Sequence, residues 1–198
     1  MKREAGFTVV EMAVTVALLS IVLTTLLGVL DAQTRASRRV EAVVNNQEDV
    51  RFALLALARD VRAADPLGPL PDVGAYATRV ELQLRDATGA SLGWVRWWLD
   101  TATGVITRAD IAGPGGSVMA TSYRLSRVRN AQSALPLFRY YNSAGVELTA
   151  VNATAADFAN CTVRVHLAVE ADTNPGPRPF RIESDAEVRN RLPGGIGC

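Results

Sequence analysis

The sequence predicts an α+β fold in which one long N-terminal helix packs on a separate antiparallel β-sheet domain. Apolar residues run without interruption near the N-terminus and then recur at helical spacing up to about residue 65. Beyond residue 78, short segments alternate apolar and polar side chains, and turn-forming residues separate them. The predicted divisions are a leader at 1–6, a membrane segment at 7–30, an amphipathic half-helix at 31–65 and a β-rich domain at 66–198.

The membrane segment is predicted from residues 12–30, which contain no charged side chain. As a helix this stretch rises about 28 Å, close to the thickness of a hydrocarbon core. A single segment in lipid must satisfy its backbone groups internally, so a helix is expected. The alternative is a buried core helix, but the stretch is apolar on every face. We therefore expect a single-pass chain that contacts membrane lipid.

The leader is short and charged and ends in Gly6. A secretory signal would place a small-residue cleavage site after the apolar stretch, and none follows it closely here. Basic residues on both sides of the stretch leave its orientation open. Glu11 is an acid near the start of the apolar helix, where an ionisable group needs a cationic partner. The alternative is that Glu11 lies at the headgroup boundary.

The string GFTVVE at positions 6–11 resembles the processing site of type IV prepilins and type II secretion pseudopilins. The resemblance implies that prepilin peptidase cuts between Gly6 and Phe7 and that Phe7 is then N-methylated. Thr8 and Glu11 fall on the threonine and the glutamate of that motif. The glutamate is implied to pair with the terminal ammonium of a neighbouring subunit during assembly.

The same resemblance implies location and partners. The N-terminus would lie in the cytoplasm, the helix in the inner membrane and the globular domain outside. Other major and minor subunits, prepilin peptidase and the inner-membrane assembly platform would be its partners, in a type IV pilus or a type II secretion pseudopilus. Many pilins carry proline where this chain has Gly28. Because glycine is a weaker helix breaker, costing about 1 kcal/mol relative to alanine, a flexible point is predicted there.

The second half of the helix carries one apolar stripe at three- and four-residue steps. The stripe comprises Val40, Val43, Gln47, Val50, Leu54, Leu57, Val61 and Ala64. Charged residues are predicted on the other faces: Arg51, Arg59, Asp60 and Arg62. Pro66 should end the helix near Asp65, since the residue before a proline disfavours helical geometry. A free-standing coiled coil is the alternative, but the stripe is short.

The remainder predicts a connector followed by strands in one antiparallel sheet or two. The connector is at 66–77, a turn is at 86–89, a loop is at 112–116, and the strands are at 78–85, 93–99, 105–108, 119–128, 137–141, 146–149, 162–170 and 180–188. Trp97 and Trp98 should lie on opposite faces, one in the core and the other toward the helix or a partner. Three stretches, 51–64, 95–108 and 180–190, resemble J-type minor pseudopilins and W-type minor pilins. They imply a minor subunit near the filament tip, in an initiation complex.

No catalytic residue, metal site or cofactor is predicted, and a net charge of +1 gives no indication of nucleic-acid binding. His166 is expected on a solvated strand face shared with Thr162 and Arg164. The pattern Glu170-x-Asp172-x-Asn174 lacks the glycine and distal glutamate of a calcium loop, which favours an oxygen-rich turn.

Cys161 and Cys198 have no metal or redox spacing. We predict that they form one disulfide, the alternative being two free thiols. The leading hypothesis is a structural subunit rather than an enzyme. A non-polymerising, membrane-anchored binding module or sensor is the alternative, and a surface-anchored hydrolase is the weakest reading because no nucleophile–base pair is visible.

Overall fold

The computed structural model describes residues 8–67, 73–172 and 179–188. Helix α1 spans Val9–Ala63 and contains 55 residues, which corresponds to about 82 Å at 1.5 Å per residue. Every residue from 8 to 41 is exposed, and only the last part of α1 packs against strands. Antiparallel sheets follow the helix along the chain. This layout confirms the predicted α+β fold.

The end of α1 differs slightly from the prediction. The helix stops at Ala63, and Ala64 is already extended, one residue before Asp65, whose helical geometry Pro66 disfavours. The predicted connector is partly regular: Ala64–Leu67 forms strand β1, and Val73–Ala77 forms a 3₁₀ helix. Proline is tolerated in β1 because this strand lies at a sheet edge, where a missing N–H costs no ladder bond.

The first sheet has five antiparallel strands in sequence order. They are β1, β2 (Arg79–Arg85), β3 (Ser91–Asp100), β4 (Val105–Ile111) and β5 (Val118–Leu125). The predicted strand at 119–128 ends early because Arg127 has a positive φ of 67°. Each strand of this sheet pairs with the next one along the chain.

The second sheet has four antiparallel strands in the order β7-β6-β8-β9. They are β6 (Phe138–Tyr141), β7 (Glu147–Leu148), β8 (Arg164–Ala171) and β9 (Phe180–Glu187). A second helix, α2 (Ala155–Cys161), precedes β8. It begins at a capping box in which Thr154 and Asp157 bond each other's backbone N–H groups. The spacing of Thr154 and Asp157 is therefore the sequence signal for α2.

The core lies where α1 meets both sheets. The helix contacts β2 and β5 of the first sheet and β8 and β9 of the second. The predicted stripe is buried at Val50, Leu54, Leu57, Val61 and Ala64. Val43 and Gln47 are half-buried, and Val40 is 64% exposed because α1 has already left the domain at that point. The stripe prediction is therefore wrong at its N-terminal end.

Asp60 corrects the prediction of a charged outer face on α1. It is buried, and its Oδ2 accepts hydrogen bonds from Trp97 Nε1 at 3.0 Å and Arg108 Nε at 2.7 Å. A charge is tolerated inside a domain when it is paired and hydrogen-bonded. Trp97 is fully buried, whereas Trp98 is half-buried on the opposite face of β3, as the alternation predicted.

A second buried charge holds a loop over the outer face of the first sheet. Glu81 on β2 bonds the Gly115 N–H at 2.6 Å and Arg96 Nε at 2.8 Å, and it also pairs with Arg79. Burial raises the pKa of the Glu81 carboxyl, but these bonds outweigh burial and hold the pKa below its usual value. The loop between β4 and β5 is therefore attached to the sheet through an ionised glutamate.

Candidate functional site

The start of α1 is a closed capping box. The Thr8 N–H donates to Glu11 Oε2 at 3.2 Å, and the Glu11 N–H donates to Thr8 Oγ1 at 3.3 Å. The Thr8 hydroxyl also donates to Glu11 Oε2 at 3.2 Å. Two N–H groups that have no partner at a helix start are thus satisfied, and the carboxylate lies at the end of the helix that favours negative charge. Both side chains are exposed.

The apolar half of α1 holds its polar side chains against its own backbone. Thr15 and Ser20 donate to the carbonyl oxygens of Glu11 and Val16, both at 2.7 Å. The hydroxyls of Thr24, Thr25 and Thr34 also donate to carbonyl oxygens one turn back. Such bonds satisfy hydroxyl groups without water. This part of the helix is therefore compatible with a lipid environment.

The large apolar side chains of this half are exposed on all sides of the helix. They are Val9, Val10, Met12, Val14, Val16, Leu18, Leu19, Ile21, Val22, Leu23, Leu26, Leu27, Val29 and Leu30. Among the described residues, α1 is the one helix long and apolar enough to cross a membrane, and none of its apolar window is buried inside the molecule. The helix is consistent with a single membrane-anchoring segment.

Gly28 lies inside the helix, which continues through it without a break. A Cβ atom added there would meet nothing within 4 Å. The flexible point at Gly28 stays a prediction. Gly6, Phe7 and Cys198 lie outside the described residues, so the cleavage site and the disulfide also stay predictions. Cys161 is buried at the end of α2.

Three polar groups fix the second half of α1 to the sheets, and the sequence reading did not identify them. The Asn46 side-chain amide donates to the carbonyl oxygen of Asp172, and the Tyr123 hydroxyl donates to the carbonyl oxygen of Asp49 at 3.0 Å. Asp60 is the third group, through Trp97 and Arg108. Asn46 lies three residues after Val43 and four before Val50, so its place on the apolar stripe was the available sequence signal.

The remaining chemical candidates are occupied by structural contacts. His166 lies beside Asp185, with its Nδ1 3.1 Å from Oδ1. The predicted shared face is wrong for Thr162, which is buried and donates its hydroxyl to the Phe158 carbonyl as α2 ends. Asp172 pairs with Arg129 at 3.0 Å. Asn174 lies outside the described residues.

Glu170 accepts a hydrogen bond from the Ser133 hydroxyl, so this carboxylate is also engaged with a neighbouring side chain. Within 8–67, 73–172 and 179–188, no group of three His, Cys, Asp or Glu side chains has the arrangement of a metal site. Among the described residues, the N-terminal helix α1 is therefore the candidate functional site.

Comparison with known proteins identifies the N-terminal part of this site. A family model described as the prokaryotic N-terminal methylation motif matches residues 1–27. No curated protein and no solved structure matches the chain. The matched stretch includes Gly6, Phe7, Thr8 and Glu11 and most of the apolar half of α1. The motif and the layout confirm the resemblance to type IV prepilins and pseudopilins and support a pilin-like or pseudopilin-like precursor.

Proposed function

We propose that this chain is a minor pilin or pseudopilin that prepilin peptidase cleaves after Gly6 and that assembles through α1 into a type IV pilus or a type II secretion pseudopilus. One observation carries the proposal. The methylation motif at 1–27 includes the start of an apolar helix that no described residue covers, and the same helix continues into the core of the globular domain. The role is structural rather than catalytic.

The exposed apolar half of α1 requires two successive environments. A soluble monomer rarely exposes a contiguous apolar patch larger than a few hundred Å². Before assembly, lipid covers this surface; after assembly, the helices of neighbouring subunits replace the lipid. The hydroxyls along the helix are already bonded to its own backbone, so neither environment has to satisfy them.

Glu11 supplies the assembly charge. The Thr8 N–H and hydroxyl both donate to Glu11 Oε2, and no cation among the described residues pairs with the carboxylate. In a low-dielectric environment an opposite charge close by is strongly favourable. Cleavage after Gly6 creates such a charge, the terminal ammonium of Phe7, on each neighbouring subunit. Processing and assembly are thus linked through one ion pair.

The globular domain is attached to the helix that assembles, so the position of α1 in the filament fixes the position of the domain. Asn46, Asp60 and Tyr123 connect α1 to both sheets through hydrogen bonds. The domain lies outside the cytoplasmic membrane and belongs near the filament tip, in an initiation complex with other minor subunits. The resemblance of 51–64, 95–108 and 180–190 to J-type and W-type subunits supports this placement. A bulky domain of two sheets also fits a position near the tip, where few or no subunits stack above it.

The N-terminus of the mature chain tests the proposal. Mass spectrometry of the protein purified from its host should find Phe7 as the first residue, carrying an N-methyl group. The membrane fraction of a prepilin-peptidase mutant should contain the chain with residues 1–6 still attached. A mature chain that begins at Met1 where the peptidase is active would contradict the proposal.

One observation favours the alternative of an anchored binding module or sensor that does not polymerise. The capping box is closed within a single chain, so α1 starts correctly without a neighbouring subunit. Such a module would keep its leader and would tolerate loss of the Glu11 charge.

A further inference from the structure

The two sheets end in four outer strands, and three of them are protected against pairing with another chain. β1 is four residues long and contains Pro66, and β7 has only two residues. β9 carries exposed charged side chains at every second position: Arg181, Glu183, Asp185 and Glu187. Short length, proline and charge are the usual means by which proteins block free sheet edges.

The fourth outer strand, β5, lacks these protections. It is eight residues long, and Val118 to Tyr123 includes neither a charged residue nor proline. No described strand pairs with its outer side. Its first five residues are exposed, and Met119 is 71% exposed. Two register shifts against β4 place Ser122 and Met119 as extra residues in β5 and bend the strand at these points. Between the shifts, Ala120 and Thr121 remain in regular register with β4 and have no described strand on their other side.

The helix provides an apolar wall beside this edge. Phe52 on α1 is 61% exposed, and its ring lies 5.8 Å from the ring of Tyr123 on β5. The Tyr123 hydroxyl is bonded to α1 through the Asp49 carbonyl, which holds the strand and the wall together. An added strand would therefore gain backbone hydrogen bonds from β5 and apolar contact from Phe52.

We propose that β5 accepts an extended strand from a different subunit of the same membrane-anchored assembly, an inference that rests on the proposed function. The partner strand is uncharged along its centre, which matches residues 118–123. It carries an acidic residue at the end that meets Arg124 and Arg127, both of which are exposed.

Geometry excludes a symmetric pair of β5 edges within one membrane. Antiparallel pairing of two copies places a two-fold axis perpendicular to the sheet. That axis reverses every direction in the plane of the sheet. Helix α1 lies across the face of this sheet, in contact with both β2 and β5, so the two apolar halves would point in opposite directions. One bilayer cannot accept both, so a symmetric antiparallel pair of β5 edges is excluded, and the proposal assigns the strand to another protein.

Site-specific photo-crosslinking of the full chain in its host tests the proposal. The photoreactive amino acid p-benzoylphenylalanine replaces Thr121, and the adduct is mapped by mass spectrometry. We expect an adduct with an uncharged segment of another protein that itself carries a prepilin-type N-terminus. The variant Met119→Lys, which places a charge on the edge, should abolish the adduct. The matched control Val151→Lys, at a fully exposed loop position, should leave it unchanged.

Hydrogen exchange gives a second measurement that needs no bulky probe. Amides of Val118–Leu125 should exchange more slowly in the assembled protein than in the detergent-solubilised chain. The mature N-terminus is read in the same cells. Processing to Phe7 with neither an adduct nor slower exchange overturns the β5 proposal and leaves the proposed function intact. An adduct to a second copy of this chain also overturns it, and an unprocessed chain overturns the proposed function itself.

Discussion

The Trp97 indole and the Asp60 carboxylate join the first sheet to α1 through a buried hydrogen bond of 3.0 Å. The same Oδ2 atom accepts from Arg108 Nε, so one carboxylate links the helix to two neighbouring strands. The orientation of the globular domain on the helix depends on this junction.

Loss of the Asp60 carboxylate should destabilise the domain strongly. Asp60→Ala removes the acceptor of Trp97 Nε1 and of Arg108 Nε, and it leaves the largely buried Arg108 with only Asp110 at 3.4 Å and the Ser122 hydroxyl. Breaking a buried ion pair costs about 3–5 kcal/mol. The control Glu48→Ala, at an exposed position of the same helix, should stay within about 0.5 kcal/mol. Unfolding in detergent is followed by near-ultraviolet circular dichroism, which reports on Trp97. Equal stabilities of the two variants would contradict the role of this junction.

Two variants of Glu11 separate helix capping from charge. Glu11→Gln keeps a side chain that can complete the capping box, so helix formation and membrane insertion should be unchanged. It removes the partner of the neighbouring ammonium, worth about 1.5–3 kcal/mol, and should lower incorporation into filaments roughly tenfold or more. Glu11→Ala should show the same assembly defect with a frayed helix start. Crosslinking to other subunits measures incorporation, and an undiminished yield for Glu11→Gln would contradict the ion pair between Glu11 and the neighbouring ammonium.

Glu81 should make the stability of the domain depend on acid pH. Its pKa is lowered in the folded state, because hydrogen bonds from Gly115, Arg79 and Arg96 outweigh the effect of burial. Its ionisation therefore stabilises the fold above the ordinary glutamate pKa of about 4.3, and this stabilisation is lost as the pH falls through the folded value. Denaturant titrations between neutral pH and pH 3 should show this loss in the wild type and a smaller one in Glu81→Gln. Parallel profiles would exclude Glu81 as the cause.

Two glycines with similar backbone geometry should respond differently to alanine. Gly104 and Gly89 both have positive φ, 65° and 83°, so alanine is strained at either position by about 1–2 kcal/mol. At Gly104 an added Cβ would also lie 2.5 Å from the Val128 carbonyl oxygen, whereas at Gly89 it meets nothing within 4 Å. Thermal unfolding should therefore be affected more by Gly104→Ala than by Gly89→Ala. A larger loss for Gly89→Ala would contradict the close approach.

The Cys161–Cys198 bridge should be present in protein taken from an oxidising compartment. Its intact mass without reduction should be lower by two hydrogens than its mass after reduction. The closed loop would stabilise the fold by roughly 3–4 kcal/mol under the loop-closure account, so reduction should lower the melting temperature. Two alkylatable thiols in the unreduced protein would disprove the bridge.

The candidate site could be predicted because its residues lie close together along the sequence. The leader, Gly6, Phe7, Thr8 and Glu11 are read along the chain, and an apolar helix in lipid needs no distant partner to form. Strand positions were also local: alternation placed Trp97 inward and Trp98 outward, and the turn at 86–89 separated β2 from β3.

Tertiary structure decided which charges are inside and where the helix enters the domain. The sequence does not distinguish Asp60 or Glu81 from solvated acids, because most of the groups that offset their desolvation come from other strands and a loop. Only Arg79, two residues before Glu81, belongs to the same strand. Val40 continues the apolar stripe but is exposed, because the sheets reach only the last turns of α1. Periodicity along one element records the faces of that element, whereas burial of a charge depends on partners that only the folded chain brings together.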